Sequence, residues 1–244
     1  MKRLFGLIGY PLSHSFSKRY FSDKFQREGL QEFTYELFPI SEISALPELF
    51  REHPTLEGIN VTIPYKEQVI PYLDELSPVV KEIGACNCIR IRNGKLTGFN
   101  TDVIGFEQTL SRKLMPHHRN ALVLGTGGAA KAVHYVLRQK SIPFVQIGRT
   151  KRGEVLDYAA ITPELLLSHT LIINTTPLGM YPNVHEAPDL PYECLTPMHY
   201  LYDLVYNPER TIFLQKGEEL GAAIENGADM LVIQADASWD IWNS

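Results

Sequence analysis

The sequence predicts an α/β fold with largely parallel sheets, arranged in two domains. Short runs of apolar and β-branched residues, bounded by glycine, proline or asparagine, recur along the 244 residues, and most are separated by enough chain for a helix. This alternation is typical of parallel strands covered by helices. A polar joint from Met115 to Asn120 interrupts the pattern before a new strand begins at Ala121, which predicts a domain boundary near this joint.

Each predicted element follows from the spacing of its apolar side chains. The predicted strands are residues 4–8, 34–38, 58–63, 121–124, 144–147, 171–174 and 201–205. Helical spacing of apolar residues predicts helices over 16–28, 103–114, 129–137 and 228–242. The aromatic stripe of the first helix, which includes Phe21 and Phe25, is interpreted as part of the core.

One segment departs from the parallel pattern. Ile89-Arg90-Ile91-Arg92 alternates apolar and polar residues with a period of two, which is typical of a strand with one exposed face. The dipeptide Asn93-Gly94 follows at once, and it tolerates the positive φ angles of a type I′ turn. An antiparallel hairpin is therefore predicted between Cys86 and Phe99.

Composition and charge exclude several classes of function. With 28 acidic and 23 basic residues the chain carries a formal charge of −5, which argues against sequence-independent binding to nucleic acid or to an anionic membrane. No apolar run reaches the roughly 18 residues of a membrane span. Neither the three cysteines, Cys86, Cys88 and Cys194, nor the eight histidines show metal-ligand spacing. We expect a cytoplasmic protein without a metal site that binds a small molecule.

A glycine-rich turn in the second half predicts a Rossmann-like nucleotide-binding domain. Residues 121–130 read ALVLGTGGAA, so a buried strand continues directly into Gly125-x-Gly127-x-x-Ala130 and a helix. The small residues permit a tight turn, close approach of a pyrophosphate and close packing of helix on strand. We expect the phosphates on the amides of the turn and helix start, which comprise Gly125, Thr126, Gly127, Gly128 and Ala129. A tight turn without any ligand is the alternative interpretation.

A basic loop after the next strand predicts NADP rather than NAD as the cofactor. An NAD site usually places an acidic residue there, about 20 residues past the glycines, to bind the ribose hydroxyls. This sequence has Arg149-Thr150-Lys151-Arg152 instead. Three cations and a hydroxyl could bind a 2′-phosphate through charge-assisted hydrogen bonds. The alternative interpretation is a solvated basic loop.

Further polar motifs follow the predicted strands, where open α/β sheets bind ligands. They read GYPLSHSFS at 9–17, NVTIPYK at 60–66, GACNC at 84–88, GFNTD at 98–102, NTTPLGM at 174–180, DLVYNP at 203–208 and GADMLVIQA at 227–235. In this order, over nearly the whole chain, they resemble the shikimate dehydrogenase family.

The resemblance implies an enzyme that uses NADPH to reduce 3-dehydroshikimate to shikimate in the biosynthesis of aromatic amino acids. It implies an N-terminal α/β substrate domain of residues 1–116, to which a C-terminal helix within residues 228–244 returns. The NADP-binding domain would comprise residues 117–227. Two alternatives stay open: a dehydrogenase that accepts both quinate and shikimate, and a sensor that binds nucleotide and metabolite without turnover.

The resemblance also assigns roles by position. Lys66 matches the catalytic lysine and Asp102 its carboxylate partner. A cationic donor can stabilise and protonate the oxygen of a ketone that receives a hydride, although the sequence leaves open which of the two residues moves the proton. Ser15 and Ser17 match a serine pair that binds the substrate carboxylate, with simple helix capping as the alternative. The other expected contacts are Thr62, Asn87, Tyr206 and Gln234 for the substrate and Leu204 and Gly227 for the nicotinamide.

The segment from Gly153 to His169 is short for the crossover between two parallel strands, which needs a dozen or more residues including a helix. Only 163–168 could form a helix, of barely two turns. We therefore expect one sheet face to be thinly covered there. Bulky side chains such as Tyr158, or a second copy of the chain in a homodimer, would shield that face.

Overall fold

A computed structural model describes residues 3–12 and 15–244. The chain divides into two compact units. Unit 1 extends to Thr101 and resumes at Gln234–Ser244, and unit 2 comprises Asp102–Ile233. Each unit is built on a six-stranded sheet. Within the described ranges, none of the helices combines the length and the apolar character that a membrane crossing requires.

Unit 1 contains a mixed sheet with the strand order β2-β1-β3-β5-β6-β4. Its elements are β1 (Arg3–Gly9), α1 (Phe16–Arg27), β2 (Phe33–Pro39), α2 (Leu46–Glu52), β3 (Leu56–Val61), β4 (Glu75–Leu76), α3 (Pro78–Ile83), β5 (Cys88–Arg92) and β6 (Lys95–Phe99). Strands β1, β2 and β3 are parallel, and β5 and β6 form the predicted antiparallel hairpin. Asn93 and Gly94 have φ angles of 52° and 75°, as the type I′ turn requires.

Unit 2 contains an entirely parallel sheet with the order β12-β11-β10-β7-β8-β9. Its elements are α4 (Asp102–Ser111), β7 (Ala121–Leu124), α5 (Gly128–Gln139), β8 (Phe144–Gly148), β9 (Leu156–Asp157), α6 (Pro163–Ser168), β10 (Leu171–Asn174), β11 (Tyr200–Asp203), α7 (Ile212–Glu219), β12 (Ala223–Glu225) and α8 (Ala228–Asn243). Helix α8 begins in unit 2 and ends in unit 1.

The strand order of unit 2 is that of the dinucleotide-binding fold, as the sequence predicts. Strand β7 lies in the middle, with β8 and β9 on one side and β10, β11 and β12 on the other. The order reverses between β7 and β10, and open sheets of this kind bind ligands at the carboxyl ends of the strands that flank such a reversal. Every residue of β7, β10 and β11 is buried, because helices cover both faces of a parallel sheet.

In unit 1, successive residues of β1 point to opposite faces of the sheet and contribute to two cores. Phe5 and Leu7 join an aromatic cluster with Phe21 of α1 and Trp242 of α8. Ile8 joins an aliphatic cluster on the other face, where Leu46 of α2 is also buried. This alternation follows from the two-residue period of a strand. The end of α8 therefore completes the core of unit 1, which agrees with a C-terminal helix that returns to the first domain.

Trp242 sets how closely α8 approaches the sheet of unit 1. Its ring is 1% exposed, lies 5.0 Å from that of Phe5, and its Nε1 donates a 3.0 Å hydrogen bond to the carbonyl of Ile89. A Cβ on Gly58 of β3 would lie only 2.4 Å from Cδ1 of the indole. Because no real side chain tolerates that separation, a glycine is required at this position.

The short crossover segment contains β9 and α6, and no helix lies between β8 and β9 in this part of the described chain. Tyr158 packs against the core of unit 2, which includes Ile161, Leu166 and Tyr192. Bulky side chains thus cover this face, which is one of the two alternatives expected from the sequence. The other expectation, a second copy of the chain, stays a prediction.

His134 of α5 packs on β8, where burial disfavours its protonated form. Its ring stacks 4.4 Å from that of Phe144, and its buried Nε2 has no hydrogen-bond partner among the described residues. Burial, and then the charge of Arg138, lower the pKa of His134 from 6.5 to about 4. The unfolded chain therefore binds a proton on His134 near pH 6.5, whereas the folded chain binds it near pH 4. The His134 contribution to stability is lost as the pH falls through this window.

Replacing His134 with phenylalanine keeps the ring stack and removes the buried nitrogen. We expect the H134F variant to gain stability over the wild type by about 1 kcal/mol more at pH 5 than at pH 7.5. Urea unfolding at both pH values measures this difference. His185→Phe, which changes an exposed histidine of the same unit, is the control. An H134F advantage of equal size at the two pH values would contradict the assignment.

Candidate functional site

The turn that carries Lys66 begins where β3 ends. The strand stops at Val61, two residues earlier than predicted, so Thr62 lies in the turn and its amide donates to the carbonyl of Ile8 (2.9 Å). The carbonyl of Lys66 accepts a 2.7 Å hydrogen bond from the amide of Cys86. The backbone of Lys66 is therefore held against the segment that leads into β5, and its side chain is half-buried.

Asn87 is held by two hydrogen bonds to Thr101. Its Oδ1 accepts from the amide of Thr101 (2.7 Å), and its Nδ2 donates to the hydroxyl of the same residue (3.0 Å). Asn87 is 2% exposed and Thr101 is fully buried. Asp102 follows at once as the first residue of α4, where the positive end of a helix dipole favours a carboxylate. Hydrogen bonds therefore connect the turn of Lys66, through Cys86 and Asn87, to the residue that precedes Asp102.

Gln234 joins the same polar group from α8. The hydroxyl of Thr101 lies 3.4 Å from Oε1 of Gln234 and 3.2 Å from the hydroxyl of Ser238, within hydrogen-bond distance of both. Unit 1 thus brings together Asn87 and Gln234, two of the residues expected to bind substrate. Thr101 and Ser238, which join them, were missed by the sequence interpretation. Thr101 lies within the GFNTD motif, which was the available signal.

Ser15 and Ser17 lie at the start of α1. Ser15 is the N-cap residue, yet its hydroxyl accepts no capping hydrogen bond within the described chain, so capping does not account for it. No acidic residue lies in the first turn, which leaves the positive end of the helix suited to an anion. Ser13 and His14 of the same motif lie outside the described residues.

In unit 2 the glycine-rich turn has the geometry that its sequence predicts. Gly125 has a φ of +114°, and a Cβ there would lie 2.4 Å from the hydroxyl oxygen of Thr175, which itself donates to the carbonyl of Leu124. Gly127 is the N-cap of α5, and a Cβ on it would meet nothing within 4 Å. The first turn of α5 therefore faces open space without a side-chain cap, as a phosphate site requires.

The basic loop follows β8 directly. Arg149, Thr150, Lys151 and Arg152 are all exposed. Backbone hydrogen bonds of 2.9 and 3.0 Å between Arg152 and Val155 close the loop. Across residues 3–12 and 15–244, no carboxylate forms an ion pair with any of these three cations. Their charges are thus available to an anionic ligand, and no acidic side chain occupies the position typical of NAD sites.

A buried carboxylate connects the ends of β10 and β11. Asp203 accepts hydrogen bonds from Nδ2 of Asn174 (3.0 Å), the amide of Val205 (3.0 Å) and the hydroxyl of Thr211 (2.6 Å). Burial raises the pKa of Asp203 to about 6, and these hydrogen bonds limit the rise. Asn174 Oδ1 in turn accepts from the amide and hydroxyl of Thr176. The loops after β10 and β11 are therefore held in one arrangement.

Leu204 and Gly227, both expected at the nicotinamide, are in contact. A Cβ on Gly227 would lie 2.2 Å from the carbonyl oxygen of Leu204, and the amide of Gly227 donates to the carbonyl of Val205 (3.1 Å). Strand β11 ends at Asp203, so Leu204 and Tyr206 lie in the following loop rather than in the strand. Tyr206 is half-buried, and burial raises the pKa of its hydroxyl.

Taken separately, the two units offer complementary chemistry. Unit 1 carries a lysine next to fixed amides and hydroxyls, which suit a small polyhydroxylated ligand. Unit 2 carries a helix start without a side-chain cap and the exposed cations of the loop 149–152, which fit a dinucleotide with an additional phosphate.

Known proteins resemble this chain over nearly its whole length. A family model described as the shikimate dehydrogenase substrate binding domain matches residues 7–89. A curated relative from Desulforamulus reducens, named shikimate dehydrogenase (NADP(+)), is 34% identical in an alignment of 260 positions, gaps included, that covers 97% of this chain and 88% of the relative.

Two solved structures show the same fold over nearly the whole chain. Shikimate 5-dehydrogenase from Thermus thermophilus, in complex with NADP(H) and shikimate, is 31% identical with a TM-score of 0.87, covering 98% of this chain and 93% of that one. Quinate dehydrogenase from Corynebacterium glutamicum, in complex with NAD, is 26% identical with a TM-score of 0.87, covering 99% of this chain and 93% of that one.

Proposed function

Because this chain belongs to the shikimate dehydrogenase family, we propose that it catalyses the reversible, NADP-dependent reduction of 3-dehydroshikimate to shikimate, a step of aromatic amino acid biosynthesis. It is an oxidoreductase that acts on a CH–OH group. The observation that carries this proposal is the hydrogen-bonded group in unit 1, where the turn of Lys66, Asn87 and Thr101 are connected next to Asp102. A binding protein without turnover would have no need of the lysine and carboxylate together.

Lys66 and Asp102 carry the proton chemistry in this proposal. NADPH supplies the hydride that reduces the ketone carbon. The ammonium of Lys66 donates a hydrogen bond to the ketone oxygen, stabilises the negative charge that develops there and delivers the proton that completes the alcohol. The carboxylate of Asp102 orients that ammonium and accepts from a neighbouring substrate hydroxyl. In the reverse direction the same groups remove the proton from shikimate.

The remaining proposed contacts follow the charge and polarity of the ligand groups. Ser15 and Ser17 bind the substrate carboxylate, which the start of α1 also favours. The ring hydroxyls bind to Thr62, Asn87, Tyr206 and Gln234. The cofactor contacts are Gly125, Thr126, Gly127, Gly128 and Ala129 for the pyrophosphate, Arg149, Thr150, Lys151 and Arg152 for the 2′-phosphate, and Leu204 and Gly227 for the nicotinamide.

A spectrophotometric assay tests the proposed function. Shikimate with NADP should give steady production of NADPH, faster than any of the other three pairings of shikimate or quinate with NADP or NAD. The similarity to a quinate dehydrogenase makes quinate the necessary comparison. Equal rates with quinate would favour the dual-specificity alternative. Binding of shikimate and NADP without turnover would favour the sensor.

The cofactor preference gives a sharper test. Changing both Arg149 and Lys151 to alanine removes two charge-assisted hydrogen bonds to the 2′-phosphate, so the KM for NADP should rise on the order of 100-fold. The KM for NAD should change little, because NAD lacks that phosphate. Arg51→Ala, which removes an exposed cation from α2, should leave both values unchanged. Tighter binding of NADH than NADPH by the wild type would refute the assignment.

The proposal also includes the cellular compartment and the oligomeric state of the protein. Cys86, Cys88 and Cys194 are thiols rather than disulfides, and a reducing cytoplasm that supplies NADPH suits them. A homodimer stays a prediction, which sedimentation at micromolar concentration would test.

A further inference from the structure

Unit 1 contains a continuous chain of buried hydrogen bonds that begins on β2 and ends on α8. The hydroxyl of Tyr35 donates to Oδ1 of Asn60 (2.9 Å), and Nδ2 of Asn60 donates to the hydroxyl of Ser238 (3.0 Å). Ser238 donates to the carbonyl of Gln234 (2.9 Å) and lies 3.2 Å from the hydroxyl of Thr101. All five residues are less than 9% exposed. Neither Tyr35, Asn60 nor Ser238 has a role in the proposed chemistry.

We propose that Tyr35 and Ser238 are positioning residues for the substrate site, which act through Asn60 and Thr101 to hold the amides of Asn87 and Gln234. This role rests on the proposed function of the protein. Neither Tyr35 nor Ser238 is placed in contact with the substrate.

The hydrogen-bonding capacity of Asn60 supports a framework role. Its Oδ1 accepts from Tyr35, and its Nδ2 donates both to Ser238 and to the carbonyl of Asn87 (3.2 Å). An amide has two donor hydrogens, so both donors of Asn60 are used inside the protein. Asn60 therefore connects the backbone of Asn87 to Ser238, and it has no donor left for a ligand.

The single proton of Ser238 determines what Thr101 can do. A hydroxyl has one donor and two acceptor sites. Because Ser238 donates to Gln234 and accepts from Asn60, its second acceptor site can receive the one hydroxyl proton of Thr101 (3.2 Å). The hydroxyl of Thr101 also lies within reach of the side-chain oxygens of Asn87 (3.3 Å) and Gln234 (3.4 Å), and only one of these three oxygens receives its proton at a time. Without the hydroxyl of Ser238, this group loses the contacts to Asn60, Gln234 and Thr101, and the side-chain amides of Asn87 and Gln234 are less firmly oriented.

Ser238 helps to fix the position of α8 relative to the sheet of unit 1. Gln234, Ser238 and Trp242 follow at intervals of four residues and so lie on one face. Trp242 holds the end of this face through Ile89 and Gly58, and Ser238 holds its middle through Asn60. These two contacts thereby fix the position of Gln234 relative to the sheet.

At its other end, the series of hydrogen bonds approaches the serine pair. Ser17 of α1 is near enough to the hydroxyl of Tyr35 to oppose the rise in the Tyr35 pKa that burial causes. The buried network therefore begins beside a residue expected to bind the substrate carboxylate and continues to residues expected to bind its ring hydroxyls. Losing a central member should weaken substrate binding as a whole while leaving the cofactor site unaffected.

Two variants and two matched controls test this role. Ser238→Ala and Tyr35→Phe each remove one hydroxyl from the network. Thr109→Val removes a fully buried hydroxyl from unit 2 that contacts the hydroxyl of Tyr202 (2.6 Å), and Tyr192→Phe removes one that donates to the carbonyl of Pro188 (2.7 Å). For each protein we would measure the Kd for shikimate by calorimetry without NADP, kcat, both KM values and Tm.

We expect the Kd and KM for shikimate to rise about tenfold in S238A and about threefold in Y35F, with the KM for NADP unchanged and kcat within twofold of the wild type. The controls should lower Tm without moving either shikimate constant. Ser238→Cys, which keeps a weaker donor, should recover part of the affinity.

A shikimate Kd at the wild-type value in both S238A and Y35F, with only Tm lowered, would overturn the positioning role. If S238A does not fold, Y35F and S238C decide the question by the same constants. Failure of the wild type to oxidise shikimate would instead overturn the proposed function. The two failures are therefore distinguishable.

Discussion

Replacing Lys66 with alanine should lower kcat for shikimate oxidation about a thousandfold, because a positioned acid or base contributes on the order of 10²–10⁴ to a proton-transfer step. Shikimate binding should weaken only modestly, since Asn87 and Gln234 are held by partners other than Lys66. Lys66→Arg keeps a positive charge that does not deprotonate in a protein, so it should recover binding but little of the rate. Steady-state rates and calorimetric titration measure the two effects separately.

Two further variants make the Lys66 experiment decisive. Lys81→Ala, an exposed lysine on α3 of the same unit, should retain the full rate. Asp102→Asn preserves the shape of the carboxylate and removes its charge. If Lys66 and Asp102 act as a pair, the double variant should be scarcely slower than the worse of the single variants. Near-normal turnover by K66A would remove Lys66 from the mechanism.

Truncating Trp242 to alanine should destabilise unit 1 by about 3–5 kcal/mol, the usual cost of removing a large aromatic side chain from a core. The indole is almost fully buried, stacks on Phe5 and donates to the carbonyl of Ile89, which would be left without this donor. Trp242→Phe should cost less, because most of the ring volume remains. Denaturant unfolding followed by circular dichroism measures both.

Gly58 provides an internal control for the same contact. Gly58→Ala alone should be strongly destabilising, because its Cβ would press on the rigid indole from 2.4 Å. In the double variant with Trp242→Phe, the smaller ring can withdraw, so the combined cost should be less than the sum of the two single costs. Strict additivity would show that the two residues do not restrict each other.

The fold could be predicted where an element buries a continuous apolar pattern. Strands β7 and β10 have the predicted bounds, since four buried residues in a row are readily recognised. The helices α2, α3 and α7 were missed, as were the short strands β4, β9 and β12. Helix α7 had a signal in Thr211, whose side chain caps it, but eight residues give too few apolar positions to establish a period.

The candidate site shows a similar limit. Local motifs predicted the turn at Gly125 and the basic loop after β8, because there the geometry depends on neighbouring residues. The network through Ser238, Asn60 and Tyr35 joins residues that are distant along the chain, and each alone is typical of an ordinary polar core position. The same holds for Asn174 and Asp203, whose pairing depends on the adjacency of β10 and β11. A single sequence does not indicate which of its distant residues contact one another.

The passage of α8 from unit 2 into unit 1 has a consequence for biosynthesis. The first hundred residues emerge from the ribosome long before Trp242. The aromatic cluster of β1 and α1 therefore stays incomplete until Trp242 has been synthesised. Unit 2 is continuous in sequence and needs no such delayed segment. We therefore expect the nascent polypeptide to acquire its nucleotide-binding half first. The N-terminal half should stay vulnerable to proteases and bind chaperones until Trp242 has been synthesised and has left the ribosome.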